Sequence, residues 1–306
     1  MSITAKELAK KLNLSAAAVS MALSGKHGVS NETRKAVIAA AEEFGYDFSR
    51  PSAKRKIGGT ICFILYKRQG AIVGDTPFFS QLTEGIENGC KAGGYKLRIA
   101  YLYKSESLDT QLRDIIYPYC DGIILLGTEM LRDDLSIFEK INIPLVLLDV
   151  YFDNIKYDCI LINNMQGAFI ATDYLITRTQ SQPGYLHSSY HIENFVGRAD
   201  GFYKAVRHHG MSTSKSIVHR LTPSVDGAFA DMLRLLESGE DMARSYFADN
   251  DFIAIGAIKA FKSFGKRIPE DVAIIGFDNI PMSSYTDPPL STKVPSETQK
   301  PYNPRL

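Results

Sequence analysis

No apolar run in this 306-residue chain approaches the roughly 18–20 residues that a membrane helix requires. Its first residues, Met1-Ser-Ile-Thr-Ala-Lys6, lack the charged stretch followed by an apolar one that marks a secretory signal. Both absences predict a cytoplasmic protein. Cysteine is scarce. Cys62, Cys90, Cys120 and Cys159 lie far apart in apolar runs such as Ile61-Cys62-Phe63-Ile64, with no CxxC and no Cys/His cluster. This argues against a disulfide scaffold or a thiolate metal site and predicts buried, reduced thiols, with no metal and no cofactor. No GxGxxG follows the first strand of the body, and neither GxxxxGK[ST] nor GxSxG occurs. His187, His191, His208 and His209 have no obvious nucleophile or metal partner, which points to packing or surface roles and away from an enzyme.

What is present is an ordinary globular composition, 45% hydrophobic and 23% charged, with length enough for two or three domains. The net charge of +1 is unevenly spread: the first sixty residues carry ten Lys/Arg against five Asp/Glu, the remainder 25 against 29. A basic leading segment on a mildly acidic body suggests that only the first meets a polyanion.

That segment reads as three helices. Thr4 followed by Glu7 forms a capping box, and Ile3, Leu8, Ala9 and Leu12 give an apolar stripe at helical spacing. Asn13-Leu14 breaks it, and Ser15 caps a second helix over Ala16–Leu23 with Val19 and Leu23 inward. After the loop Ser24-Gly-Lys-His-Gly28, Ser30 and Asn31 start a third, with Val37, Ile38, Ala41 and Phe44 inward and Gly45 at its end. Helix, tight turn, helix and a supporting helix make a helix-turn-helix, whose second helix enters the major groove of DNA; any small three-helix interaction module shares the pattern.

The residues go further than the pattern. Leu14-Ser-Ala-Ala-Ala-Val-Ser-Met-Ala-Leu-Ser-Gly-Lys26, then Gly28-Val-Ser-Asn-Glu-Thr-Arg34, then Ala39-Ala-Ala-Glu-Glu-Phe-Gly-Tyr46, resemble the DNA-binding headpiece of lactose-repressor-type (LacI/GalR) regulators over about 45 consecutive residues. The resemblance implies that Thr4, Ser15, Ser20, Ser30, Thr33 and Tyr46 contact phosphates, a role that short hydroxyls and helix N-termini suit. It places Ala16, Ala17 and Met21 where the family reads base edges. None of these three can make a bidentate hydrogen bond to a base, so readout is expected to lean on apolar contact with thymine methyls and on DNA shape. The linker Asp47-Phe-Ser-Arg-Pro-Ser-Ala-Lys-Arg-Lys-Ile-Gly-Gly59 is basic and punctuated by Pro and Gly. In the family it becomes a hinge helix on DNA, often with a leucine wedge in the minor groove. Here there is no leucine, Ile57 is the only aliphatic candidate, and Lys54, Arg55 and Lys56 remain as phosphate partners.

From Thr60 onward short apolar strands alternate with amphipathic helices. Strands are expected over Thr60–Tyr66, Lys96–Tyr101, Gly122–Leu126, Leu145–Asp149, Cys159–Ile162, Gly184–Leu186, Ser216–Arg220, Ser245–Ala248 and Val272–Gly276. Helices are expected over Phe78–Ala92, Leu108–Tyr117, Asn164–Thr177, Asn194–His209, Val225–Glu237 and Asp251–Phe264. Such alternation means parallel sheets flanked by helices, here in two lobes, with ligands bound at carboxyl strand ends in the cleft between them. Asp149, Asp249, Asn250 and Asp278 follow strands, Arg198 fronts a helix, and Phe78 and Phe79 after Pro77 offer an aromatic wall. Carboxylates accept sugar hydroxyls, Arg donates in a planar fork and Asn does both; strand-end Asp and Asn are equally common as caps and turns.

Thr76-Pro-Phe-Phe-Ser80, Asp121-Gly-Ile-Ile124, Asn163-Asn164, Arg198-Ala-Asp-Gly-Phe202, Phe247-Ala-Asp-Asn-Asp251, Ile275-Gly-Phe-Asp278 and Asp287-Pro-Pro-Leu290 resemble the effector core of the same family. The resemblance covers about 290 residues and places Asp149, Arg198, Asn250 and Asp278 at sugar-contacting positions and Phe79 at a stacking one. It also implies a core continuing some tens of residues beyond Leu290, whereas Ser291–Leu306 is polar, carries Pro295, Pro301 and Pro304, and is expected to be a disordered tail that weakens dimerisation. The expected architecture is α/β: a helix-turn-helix headpiece (1–48), a basic hinge (49–59), and a two-lobed, periplasmic-binding-protein-like, Rossmann-like core with parallel sheets (60–158 and 159–290), then the tail (291–306). The expected function is a homodimeric, sequence-specific transcriptional regulator of the repressor type, binding a duplex operator and a small-molecule effector. Pentoses, hexoses and nucleobases all occur in the family; the Asp149, Arg198, Asn250 and Asp278 set favours a sugar. The rival readings are a solute receptor of the same two-lobed fold and an enzyme on a Rossmann-like frame, and salt-dependent duplex binding separates the first reading from both.

Overall fold

The computed structural model describes residues 3–23, 28–46, 58–70, 77–117, 119–295 and 297–300; the linker residues 47–57, with Lys54, Arg55, Lys56 and Ile57, and residues 301–306 lie outside it. Three helices open the chain: α1 (Ala5–Lys11), α2 (Ala16–Leu23) and α3 (Asn31–Glu43). Their boundaries follow from local hydrogen bonding. The Glu7 amide donates to Thr4 Oγ1 at 3.3 Å while the Thr4 amide donates to the Glu7 carboxylate at 2.7 Å, a closed capping box. The Ala18 amide donates to Ser15 Oγ at 3.0 Å and the Thr33 amide to Ser30 Oγ at 3.1 Å. Gly45, with φ of 66°, follows the end of α3 in the left-handed conformation.

Leu8, Ala9, Val19, Ala22, Val37, Ala40 and Ala41 form the core of this bundle. Leu8, Val19 and Val37 are wholly buried, and each contributes about 1.5–3 kcal/mol. Ile38, expected inward, is only half-buried, and Ala40 takes its place. At 3.6 residues per turn, Val37, Ala40, Ala41 and Phe44 fill one narrow arc, and Ile38 lies outside it.

The chain comprises two compact units, Met1–Arg68 with Thr83–Leu126 and Met130–Val146, and Gln69–Leu82 with Gly127–Glu129 and Leu147–Leu306. One sheet has the order β11-β5-β4-β3-β1-β2, where β1 is Thr60–Lys67, β2 Lys96–Tyr103, β3 Gly122–Leu126, β4 Leu145–Leu148, β5 Asp158–Ile162 and β11 Glu297–Lys300. β1 runs parallel to β2 and β3, and its residues Cys62–Tyr66 are all buried, which explains a continuous apolar run in place of alternation. Helices α4 (Pro77–Ala92) and α5 (Leu108–Ile116) connect these strands.

The other sheet has the order β10-β9-β8-β6-β7, from β6 (Gly184–Ser188), β7 (Val218–Leu221), β8 (Ser245–Ala248), β9 (Ala273–Phe277) and β10 (Ser291–Lys293), all parallel. It is accompanied by α6 (Asn164–Thr179), α7 (Glu193–His208), α8 (Val225–Glu237) and α9 (Asp251–Ser263). α6 packs on α7 closely enough that a Cβ at Gly201 would lie 2.2 Å from the Met165 carbonyl oxygen. Glycine is therefore required at that crossing for approach, not for conformation.

All nine expected strands and six expected body helices are present, with ends displaced by a few residues. The tail differs from expectation. Ser291–Lys293 is a strand parallel to β9, and Glu297–Lys300 pairs antiparallel with β5. Both are edge strands, held by backbone pairing to distant partners, so no apolar alternation marks them. Thr292 Oγ1 adds a 2.6 Å hydrogen bond to Asp251.

Candidate functional site

On the headpiece, Ala16, Ala17 and Ser20 are exposed on one face of α2, and Met21 beside them is half-buried. Their spacing is the one-face spacing of a helix, opposite Val19 and Ala22 in the core. The small Ala16 and Ala17 leave the N-terminal turn of α2 open to a polyanion, where free amides and the helix dipole favour negative charge. Met21 is less free than the sequence suggests: its sulfur lies where a Cβ on Gly28 would come within 2.9 Å, so the thioether packs against that glycine. Thr4, Ser15 and Ser30 are exposed and each already caps a helix, while Thr33 and Tyr46 are half-buried, the latter against the bundle core.

In the second unit the polar residues expected at strand ends gather around Arg198, which α7 carries into a buried position. Its Nε donates to Asn164 Oδ1 at 2.9 Å, Nη1 to the Asp249 carbonyl and Nη2 to Asp278 Oδ1 at 3.0 Å. Its guanidinium lies 3.8 Å from the centre of the Phe277 ring. Asn164 Nδ2 donates to Asn194 Oδ1 at 2.9 Å, and Asn194 Nδ2 to the Asp149 carbonyl at 3.3 Å. One hydrogen-bonded chain thus runs Asp149, Asn194, Asn164, Arg198, Asp278.

Asp149 follows β4 with φ of 61° and is buried. Thr128 Oγ1 donates to its Oδ2 at 2.7 Å, and its Oδ1 is buried without a hydrogen-bond partner among the described residues. Burial raises its pKa against the pull of Thr128 and Arg198. Asp278, after β9, keeps 26% of its side-chain surface exposed. Desolvation pushes its pKa up to about 7, opposed by Arg198 and reinforced by the nearby charges of Asp251 and Asp149. Among the described residues one cation, Arg198, acts on three carboxylates, Asp149, Asp251 and Asp278, so the site is rich in acceptors and suits a neutral ligand bearing several donors.

Other expected residues have different employment. Asn250 is the N-cap of α9, its Oδ1 accepting the Ile253 amide at 2.9 Å, which leaves only its amide group for a ligand. Asp249 is consumed by the Ser188 amide at 2.7 Å, by His187 Nδ1 at 2.7 Å and by the Tyr185 hydroxyl. It locks β6 to β8, and His187 accordingly has a carboxylate partner that spacing alone does not reveal. Phe79 is buried in the first turn of α4, and the side chain of Phe78 lies outside the described residues. Asn164, Asn194 and Thr128 are network members that the sequence pattern did not single out. The signal for Asn164 was a polar residue at the start of an otherwise apolar helix face; for Asn194 and Thr128 no local signal exists. Among the described residues no cluster of His, Cys, Asp or Glu could hold a metal, and no helix is long and apolar enough to cross a membrane.

Residues 4–49 match the family described as bacterial regulatory proteins, lacI family, and residues 172–299 match the periplasmic binding protein-like domain. The HTH-type transcriptional repressor PurR of Pasteurella multocida (strain Pm70) is 29% identical over 293 residues, which is 94% of this chain and 86% of the relative. The HTH-type transcriptional regulator GalS of Salmonella typhimurium (strain LT2) is 30% identical over 293 residues, 95% of this chain and 84% of the relative. Among solved structures, a LacI family transcriptional regulator from Enterococcus faecium with bound ribose superposes with a TM-score of 0.62 at 26% identity, covering 76% of this chain and 82% of that one.

Proposed function

Because the chain belongs to the lacI family of bacterial regulatory proteins, we propose that its headpiece docks on an operator under the control of a sugar held at Arg198. The protein is a DNA-binding transcriptional regulator of the repressor type and not an enzyme. DNA contact is assigned to residues 1–48 and the hinge 49–59, ligand contact to the core from 60 to 290, and the site of action to the cytoplasm. Ala16, Ala17 and Met21 face the base edges of the major groove. Thr4, Ser15, Ser20, Ser30, Thr33, Tyr46 and the linker residues Lys54, Arg55 and Lys56 face phosphates. A homodimer presents two headpieces to a pseudo-palindromic site.

The observation that carries the ligand assignment is the chain of hydrogen bonds from Asp149 through Arg198 to Asp278. It fixes one buried fork donor beside acceptor oxygens, the complement of a polyol whose hydroxyls donate and accept. The solved neighbour with bound ribose supports the sugar. Ligand and operator affinities are linked: a sugar that changes DNA affinity by a given factor has its own affinity changed by the same factor.

A thermal-shift panel of pentoses, hexoses, disaccharides and purine bases tests the assignment. A sugar at 100 times its Kd stabilises by about 2.7 kcal/mol, readily seen as a shift. Wild type is expected to shift with at least one sugar and Arg198→Ala with none. Asp278→Asn, which keeps the shape of the site, should weaken the response. A purine base as the sole active compound, or an undiminished shift in Arg198→Ala, would overturn it.

A further inference from the structure

His187 stands near the carboxyl end of β6, in the same row of the sheet as the Arg198 site. Leu186 is in register with Ala248, and Phe247 with Ile275. The Asp249 amide continues the pairing by donating to the Leu186 carbonyl at 3.0 Å. One step on, His187 is level with Asp249, and Asp249 with Phe277. Tyr185, Phe247 and Ile275, two positions earlier on each strand, pack together with Phe202 of α7. Alternation therefore turns His187, Asp249 and Phe277 to the face that carries α7 and Arg198. The Arg198 guanidinium lies over this row, 3.8 Å from the centre of the Phe277 ring, with Nη1 donating to the Asp249 carbonyl. From β6 to β9 the row spans about 10 Å, two strand spacings.

The His187 ring is fixed on two sides. Its Nδ1 lies 2.7 Å from Asp249 Oδ2, and its centre 5.1 Å from that of the Tyr185 ring. Asp249 is wholly buried and also receives the Ser188 amide at 2.7 Å and the Tyr185 hydroxyl. A carboxylate with donors on both oxygens is an acceptor throughout, so Nδ1 carries the proton and Nε2 keeps its lone pair. Nε2 has no hydrogen-bond partner among the described residues, and 18% of the side-chain surface is exposed. The Ser188 amide and the Tyr185 hydroxyl already tie β6 to Asp249; the histidine adds an oriented ring nitrogen that the protein leaves unused. We propose that His187 is a further contact of the effector site, its Nε2 hydrogen-bonding a sugar hydroxyl; this rests on the assignment of a sugar to Arg198. The Arg198 end of the row offers a cation and carboxylates, and the β6 end a neutral acceptor already held in place, so little ordering is left to be done on binding. A hydroxyl both donates and accepts, so the contact persists when Nε2 takes up a proton. A sugar with that hydroxyl methylated or removed leaves Nε2 unpaired and binds more weakly.

The test uses the full-length protein and diethyl pyrocarbonate, which carbethoxylates an accessible imidazole nitrogen, with the modified residues mapped by mass spectrometry. In the free protein His187 is expected to react alongside exposed His191, while His219, buried with Nε2 3.2 Å from the Tyr246 hydroxyl, stays unmodified. Ribose, glucose, galactose and cellobiose are then the probes. A sugar that shifts the melting of the wild type is expected to protect His187 and to leave His191 reactive. His187→Asn keeps a donor at the Nδ1 position and has nothing at Nε2. It is expected to melt with the wild type when free and to bind that sugar about tenfold more weakly, the loss of one hydrogen bond. His187→Gln, whose amide reaches the Nε2 position, should recover part of the affinity. An unreactive His187 in the free protein, or equal sugar affinity in wild type and folded His187→Asn, would overturn the contact and leave the Arg198 assignment standing. No shift of the wild type with any of the four probes would overturn that assignment and this proposal with it.

Discussion

The pKa of Asp278 gives the ligand assignment a quantitative test. Desolvation holds this carboxyl at about 7 in the free protein, even with Arg198 Nη2 3.0 Å away. A sugar hydroxyl that donates to it requires the ionised form, so binding draws the proton off. At one pH unit below the pKa, removing that proton costs about 1.4 kcal/mol, a tenfold loss of affinity. Sugar affinity is therefore expected to rise about tenfold between pH 6 and pH 8 and then level. Titration calorimetry in two buffers of different ionisation enthalpy reads both the affinity and the proton released. Asp278→Asn retains an oxygen for Arg198 but cannot titrate, so its affinity should be lower and flat with pH. The same displacement acts on stability with the opposite slope. A carboxyl raised on folding favours the folded state while protonated, and that advantage is lost as pH rises from its unfolded value to about 7. Asp278→Asn should accordingly raise Tm at pH 8 and leave it unchanged near pH 4. A wild-type affinity that is flat across this range, or a pH dependence that survives in Asp278→Asn, would refute the reasoning.

Arg198→Met leaves buried Asp149 and the acceptors on Asn164, Asp249 and Asp278 without their cation, and should cost about 3–5 kcal/mol in urea unfolding; a loss under 1 kcal/mol would show that the network is not structural. Gly201→Ala places a Cβ against the rigid Met165 carbonyl oxygen and should cost about 1–3 kcal/mol by overpacking, whereas a neutral outcome would mean that α6 and α7 shift apart freely. Met21→Ala should reduce discrimination between operator and single-base variants by about 1 kcal/mol while leaving the salt dependence of binding unchanged, and equal discrimination would remove Met21 from the readout.

Much of this was legible from residue order. Thr4 with Glu7, Ser15 and Ser30 each mark a helix start because the capping partner lies three residues away. The nine strands with apolar runs were legible because burial on both faces leaves a local trace, as in Cys62–Tyr66. Ile38 was misplaced because an apolar residue at nearly the right angle resembles a core residue until the neighbouring helices define how wide the buried arc is. Asn250 shows why such residues are ambiguous in sequence: a cap and a binding group use the same side chain, and here its oxygen holds the start of α9.

The sequence by itself determined the helix-turn-helix, the alternating strands and helices, and the residue types available at the strand ends, since each depends on interactions within a few positions of the chain. Only the tertiary structure decided which of those polar groups meet. β10 and β11 exist because β9 and β5 offer edges to them, and Arg198 joins Asn164, Asp249 and Asp278 across three stretches of chain. The physical reason is that a hydrogen bond or ion pair between distant residues needs no pattern in either segment; it needs only the packing that brings them within about 3 Å.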